Sequence, residues 1–205
     1  CLPAICQVGP VTRVRGTVPA AFHAPEPTDA RTYDLREARA IGMPFHTTEP
    51  FVIGEKLQQQ ARHLCVLGGT TQGSPLVREM PRPYVKQKYA GHALYVEGVE
   101  GHSYVADGAR IDQAEDGFMP LGDGFILRNA YISNVRDDCV ENDVLSGGLI
   151  EDTLFDGCYM GLSVDPGGLL RPGATEDDMP IVLDRVLMRL KPLPDPVVAR
   201  SPDGL

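Results

Sequence analysis

Between residues 105 and 188 one short phrase recurs four times, as Val105-Ala-Asp-Gly-Ala-Arg-Ile111, Ile126-Leu-Arg-Asn-Ala-Tyr-Ile132, Leu149-Ile-Glu-Asp-Thr-Leu-Phe155 and Val182-Leu-Asp-Arg-Val-Leu-Met188. The copies start 21, 23 and 33 residues apart, and the longest gap contains a Pro/Gly-rich stretch at 166 to 180 that reads as an inserted loop. A second phrase runs out of phase with the first, in Asp116-Gly-Phe118, Asp137-Asp-Cys139 and Asp156-Gly-Cys158. Units of this length cannot bury their own apolar faces and need neighbours above and below. Each copy is short and rich in β-branched or aromatic residues, without the spacing of a helix, so the units are strands. The frame of a leucine-rich repeat is absent, since Asn129 and Asn134 do not fall in it. A coil of about 21 residues leaves room for two or three short strands and their turns, which is one rung of a parallel β-helix.

Stacked coils predict ladders whose members lie roughly 4.8 Å apart. Val105, Ile126, Leu149 and Val182 should form one, and Ile111, Ile132, Phe155 and Met188 another in the core. Asp107, Arg128, Glu151 and Asp184 should line an outer face of mixed sign, and Phe118, Cys139 and Cys158 the matching ladder of the second strand.

The rest of the chain is less periodic. Residues 1 to 31 carry five prolines and read as an irregular, extended arm with little packing, followed by a single β-helix domain over 32 to 205. Thr32 to Ala40 reads as a short helix or a first irregular coil, Phe51-Val-Ile53 as a strand, and Leu57 to His63 as one helical turn. Leu64 to Gly69 and Ala93 to Val96 read as two further rungs. Between them a Pro-rich loop from Gly73 to Tyr89 carries Arg78, Arg82, Lys86 and Lys88, read as a solvated basic face rather than a binding edge.

The 205 residues, 42% of them hydrophobic, suffice for one domain with a core, and 22 glycines and 18 prolines suit many turns and little helix. A net charge of −9 argues against a nucleic-acid partner or an anionic membrane surface. No run of about 18 apolar residues is present to span a membrane. The five cysteines and five histidines form no metal frame, and an odd cysteine count leaves at least one thiol free. Cys139 and Cys158 read as a buried thiol ladder rather than a bridge. Cys1 reads as the start of a fragment, the alternative being a lipidated N-terminus. The end at Leu205 lacks a cap, so further chain or an oligomer is expected to cover it.

Stacking also gathers carboxylates, because Asp116 lies one coil before Asp137 and Asp138. Like charges in a small patch raise at least one pKa, which lets one carboxyl act as an acid while another acts as a base. An inverting glycosidase uses two carboxyl sites roughly 6.5 to 9.5 Å apart, a span of one or two rungs. The runs Glu115-Asp-Gly-Phe118, Phe125-Ile-Leu-Arg-Asn-Ala-Tyr-Ile-Ser-Asn134 and Asp137-Asp-Cys-Val140 resemble the polygalacturonase family of pectin-cleaving glycoside hydrolases, over about Glu115 to Lys191. The resemblance implies a right-handed parallel β-helix, secreted or periplasmic, that hydrolyses an acidic polysaccharide. It implies Asp137 as general acid, with Asp116 and Asp138 activating water. Arg189 and Lys191 match the family's substrate clamp, and Tyr159 and Arg136 complete the expected substrate contacts. Where the family carries its active-site histidine, this chain reads Cys158-Tyr159-Met160-Gly161.

Two other readings stay open. The aspartates are also ordinary corner residues, so the chain is alternatively a non-catalytic β-helix module, glycan-binding or structural, of a larger secreted, envelope or phage-tail-like protein. Asp137, Asp138, Glu141 and Asp143 alternatively serve a Ca²⁺-dependent polysaccharide lyase, with Arg136 or Arg128 as base. No other cofactor and no bound metal are expected.

Overall fold

The structure, a computed structural model, describes residues 4–7, 9–18, 21–24, 31–41, 49–53, 63–75, 77, 91–98, 102–164 and 180–192. Numbered in chain order, the strands fall into two sheets. Sheet A holds β1 (Val11–Thr17), β3 (Arg31–Ile41), β5 (Leu64–Gln72), β7 (Tyr104–Asp107), β8 (Arg110–Asp112), β10 (Phe125–Arg128), β11 (Tyr131–Ser133), β13 (Gly148–Asp156) and β15 (Ile181–Arg189). Sheet B holds β2 (Phe22–Ala24), β4 (Phe51–Ile53), β6 (His92–Glu97), β9 (Asp116–Leu121), β12 (Asp138–Glu141) and β14 (Met160–Ser163). The chain alternates between the sheets and pairs each strand in parallel with its counterpart one turn earlier, so the protein is an all-β stack of coils.

The ladders of the repeat stand in register. Val105 pairs with Ile126, Ile126 with Leu149 and Leu149 with Val182, while Ile111, Ile132, Phe155 and Met188 form the parallel column. Cys65 and Thr71 of β5 extend these two columns by one coil. Ile111, Ile132 and Phe155 are buried. Outside, Arg128 bridges Asp107 at 2.9 Å and Glu151 at 3.8 Å, so the mixed-sign column neutralises itself rung by rung.

The repeat's fourth residue explains the shape of the coil. Gly108, Asn129, Asp152 and Arg185 all take positive φ, at 84°, 50°, 47° and 52°. Left-handed backbone turns the chain sharply, which divides sheet A into two facets, and Gly or Asn enters that region at the least steric cost. A second bend follows at Gln113, Asn134 and Gly157, with φ of 60°, 51° and 85°, before the chain enters sheet B.

The core lies between the sheets. Tyr33, Val66, Ala106, Leu127 and Ile150 stack from sheet A, and Phe51, Leu94, Phe118, Val140 and Leu162 from sheet B. Phe118 meets Phe125 edge-on with centroids 6.1 Å apart. Each fully buried Phe of this kind contributes about 1.5–3 kcal/mol through removal of its surface from water.

Several expectations change. Within the Pro-rich stretch 1 to 31, β1 and β2 pair with β3 and β4, so these parts of the arm pack as strands. Of the two readings of Thr32 to Ala40 the irregular coil holds, since Arg31–Ile41 form a strand with a register shift between Leu35 and Arg39 rather than a helix, and Phe51–Ile53 is the expected strand. Leu64–Gly69 and Ala93–Val96 belong to one coil, as β5 in sheet A and β6 in sheet B, rather than to two rungs. The expected helical turn before His63, the basic cluster at 78 to 88 and the loop at 166 to 179 lie outside the described residues.

Cys139 does not stack on Phe118, because Val140 takes that place. The cause is a corner of unequal length: three residues, 113 to 115, join β8 to β9, whereas four, 134 to 137, join β11 to β12. Cys139 and Cys158 instead form a disulfide, with Cα atoms 5.7 Å apart. A second disulfide, Cys6–Cys65, ties the short 3-10 turn Ala4–Gln7 to β5. Such bonds persist in oxidising compartments. Among the described residues no helix is long and apolar enough to cross a membrane.

Candidate functional site

The inserted corner residue also decides which acids meet. Since Val140 pairs with Phe118, counting back two residues sets Asp138, not Asp137, opposite Asp116. The Asp138 N–H donates to Asp116 Oδ1 at 3.2 Å. Asp116 in turn pairs with His92 on the preceding rung. Glu49 stands two residues before Phe51, which pairs with Leu94, and so holds the equivalent place one rung further on. A polar column therefore runs Glu49, His92, Asp116, Asp138 along the entry corner of sheet B.

His92 is the centre of this column. Its Nδ1 lies 2.6 Å from Glu49 Oε1 and its Nε2 2.5 Å from Glu141 Oε2. Donor atoms of His92, Asp116 and Glu141 all lie within 4.8 Å of one another. Burial opposes the imidazolium charge most strongly, but the hydrogen bonds to Glu141 and Glu49 and the charges of Glu141 and Asp116 outweigh it and raise the His92 pKa to about 10. Both ring nitrogens thus face carboxylate oxygens, an arrangement that favours the protonated ring. Burial also pushes the Asp116 carboxyl well above the ordinary range, with the Glu141 charge adding and the His92 cation opposing. Asp138 is pushed up to about 7 by burial, then by the charges of Asp137 and Glu141, against a Ser163 hydrogen bond. Its Oδ1 is buried without a hydrogen-bond partner.

The expected site residues are dispersed relative to this column. Asp116 and Asp138 meet, but both are buried. Asp137 is half-buried in the corner, where its N–H donates to the Glu115 carbonyl and its carbonyl accepts from Met160. Arg136 is buried beside it. Arg189 lies on sheet A, clamped in two hydrogen bonds by Asp156 at 2.5 and 2.7 Å. Tyr159 and Lys191 are exposed, and the Lys191 N–H donates to the Cys158 carbonyl. His92 and Glu49 were not singled out by the sequence, and Glu141 only as a candidate Ca²⁺ ligand beside Asp137, Asp138 and Asp143. The signal was present in Glu49-x-Phe51, His92-x-Leu94, Asp116-x-Phe118 and Asp138-x-Val140, a polar residue two places before four successive core residues of sheet B.

A second feature lies on the outer side of the second facet of sheet A. An open groove of about 370 Å³ is lined by Thr70, Gln72, Arg110, Asp112, Tyr131 and Ser133, among others. Strand alternation produces it, since Ile111 and Ile132 are buried while Arg110 and Tyr131 are exposed. Tyr131 is 38% exposed. Asp112 accepts from Ser133 Oγ and Asn134 Nδ2, both at 2.8 Å, and Arg110 is braced by the Asn129 carbonyl at 2.7 Å. These walls are preorganised. Their columns continue past the groove, through Leu154 and Leu187 beside Tyr131 and through Asp156 and Arg189 beside Ser133.

No protein-family model matches the chain, and no curated protein or solved structure matches it. Its class is therefore set by its own geometry: an all-β stack of parallel coils with a surface groove and a partly buried acid–histidine column.

Proposed function

We propose that the chain is a carbohydrate-binding parallel β-helix, wound right-handed, that holds a glycan strand in the groove of sheet A. The observation that carries this reading is the groove itself, in which one exposed aromatic, Tyr131, stands among fixed polar groups on a parallel sheet. An aromatic face with a polar edge suits a sugar ring, whose apolar face stacks while its hydroxyls hydrogen-bond around it. The two disulfides support a secreted or periplasmic setting for such a module.

Titration calorimetry with polygalacturonate and with a neutral glucan tests the proposal. Binding of either glycan should be lost in Tyr131→Ala with the fold retained. No binding to either, or binding that Tyr131→Ala leaves unchanged, overturns it.

Hydrolysis of an acidic polysaccharide by Asp137, Asp116 and Asp138 is the second reading, favoured by the contact between Asp138 and Asp116 on adjacent rungs. It requires new reducing ends to appear from polygalacturonate with the wild type and not with Asp137→Asn or Asp138→Asn. Groove binding without release of reducing ends leaves the non-catalytic module.

A further inference from the structure

We infer that His92, Asp116 and Glu141 form a binding site for a single divalent first-row transition ion, with Glu49 as the carboxylate that orients the histidine. This site is separate from the sheet A groove and does not rest on glycan binding.

The donor set carries the first part of the argument. One imidazole nitrogen and two carboxylates come from three successive coils, on β6, β9 and β12, and their donor atoms already lie within 4.8 Å of one another. Adjacent ligand atoms around a zinc ion with bonds of about 2.0–2.1 Å are separated by only a little over 3 Å, so small side-chain rotations complete the fit. The stacked backbone holds the three origins at fixed spacing, which leaves little to be ordered on binding.

The second part is the outer shell. A metal-bound histidine characteristically gives its other ring N–H to a carboxylate, which fixes the ring and raises its basicity. His92 has that arrangement, with Nδ1 2.6 Å from Glu49 Oε1 while Nε2 faces Glu141. On binding, the ion takes the place of the Nε2 proton, which passes to solvent.

The third part is independent of the cluster's own hydrogen bonds. Asp138, only 5% exposed, stands one rung beyond Asp116 and carries a buried Oδ1 with no hydrogen-bond partner. Buried polar atoms are normally satisfied, so this unpartnered oxygen on the rung next to Asp116 marks a polar environment that still lacks a counterpart. One nitrogen and two carboxylate oxygens suit zinc or its neighbours, whereas Ca²⁺ would require six to eight oxygens.

The test uses the untagged chain, stripped with a chelator, dialysed, and titrated calorimetrically with ZnCl₂ and separately with CaCl₂, with zinc content read by mass spectrometry. The expected result is one zinc per chain and no comparable calcium binding. Affinity should fall more than 100-fold in His92→Ala and Glu141→Gln, and about 10- to 100-fold in Glu49→Gln, which leaves all three ligands in place. His102→Ala should bind as the wild type does. Circular dichroism checks each variant, and if His92→Ala does not fold, Glu141→Gln and Glu49→Gln decide. Absence of zinc binding by folded wild type overturns the inference, as does unchanged affinity in the folded ligand variants. Loss of binding in His102→Ala does the same.

Discussion

Sheet A and sheet B are wound from the same coils, yet they obey different rules. In sheet A each rung repeats the same pattern of inward residue, outward residue and left-handed corner, from β5 to β15. In sheet B the strands are reached through corners of three or four residues, so the register shifts and Asp138 replaces Asp137 opposite Asp116. Sheet A has columns that neutralise themselves, as with Asp107, Arg128 and Glu151. Sheet B gathers an unbalanced group of acids around one histidine. A solenoid can thus keep one side for stacking and let the other collect chemistry, because a one-residue change at a corner re-aims a strand without disturbing the opposite sheet.

The largest test of this contrast is in the core. Phe155→Ala in sheet A and Phe118→Ala in sheet B should each cost about 3–5 kcal/mol, since both rings are fully buried. Urea unfolding of both variants measures the two losses side by side. A much smaller loss for Phe118→Ala would mean that sheet B packs loosely despite its parallel pairing.

Next come the disulfides. Closing a chain of 19 residues between Cys139 and Cys158 stabilises by about 3 kcal/mol through lost unfolded-state entropy, and closing 59 residues between Cys6 and Cys65 by about 4 kcal/mol. Replacing either pair by alanine should lower the melting temperature, the Cys6–Cys65 pair more. The reverse order would show that the pinned corner of sheet B contributes more than chain entropy alone.

A smaller effect is expected at the bend of sheet A. Gly108→Ala places a Cβ where the nearest heavy atom is 3.9 Å away, so no clash arises and only the positive φ is strained. The cost should be about 1–2 kcal/mol, with Asn129→Gly near neutral. Equal effects of the two would break the reading of that column as a conformational corner.

The smallest effect is electrostatic. The Arg36 side-chain hydrogen bonds hold the Asp34 carboxyl below the ordinary carboxylate range against its burial. A lowered folded pKa adds stability above the unfolded value of about 3.9, and that stability is lost as pH falls through the folded value. Acid unfolding curves should therefore show this contribution intact above about pH 5 and disappearing below about pH 4, and flattened in Arg36→Gln. Arg36 is 57% exposed on its side chain, so the amplitude is that of a surface pair.

The sequence by itself determined the stack. Val105, Ile126, Leu149 and Val182 recur with Ile111, Ile132, Phe155 and Met188 because a parallel coil brings equivalent positions together. Apolar periodicity is a local property that can be read along the chain. The outer column of Asp107, Arg128, Glu151 and Asp184 was legible for the same reason. Only the tertiary structure decided that β1 and β2 join the stack, where prolines argue for an arm, and that β5 and β6 share one coil across a long connection. It alone placed His92 between Glu49 and Glu141, residues 43 and 49 positions away along the chain. The physical reason is that side-chain meetings across rungs depend on the count of residues in every corner between them. A single extra residue before Asp138 was enough to change which carboxylate faces Asp116.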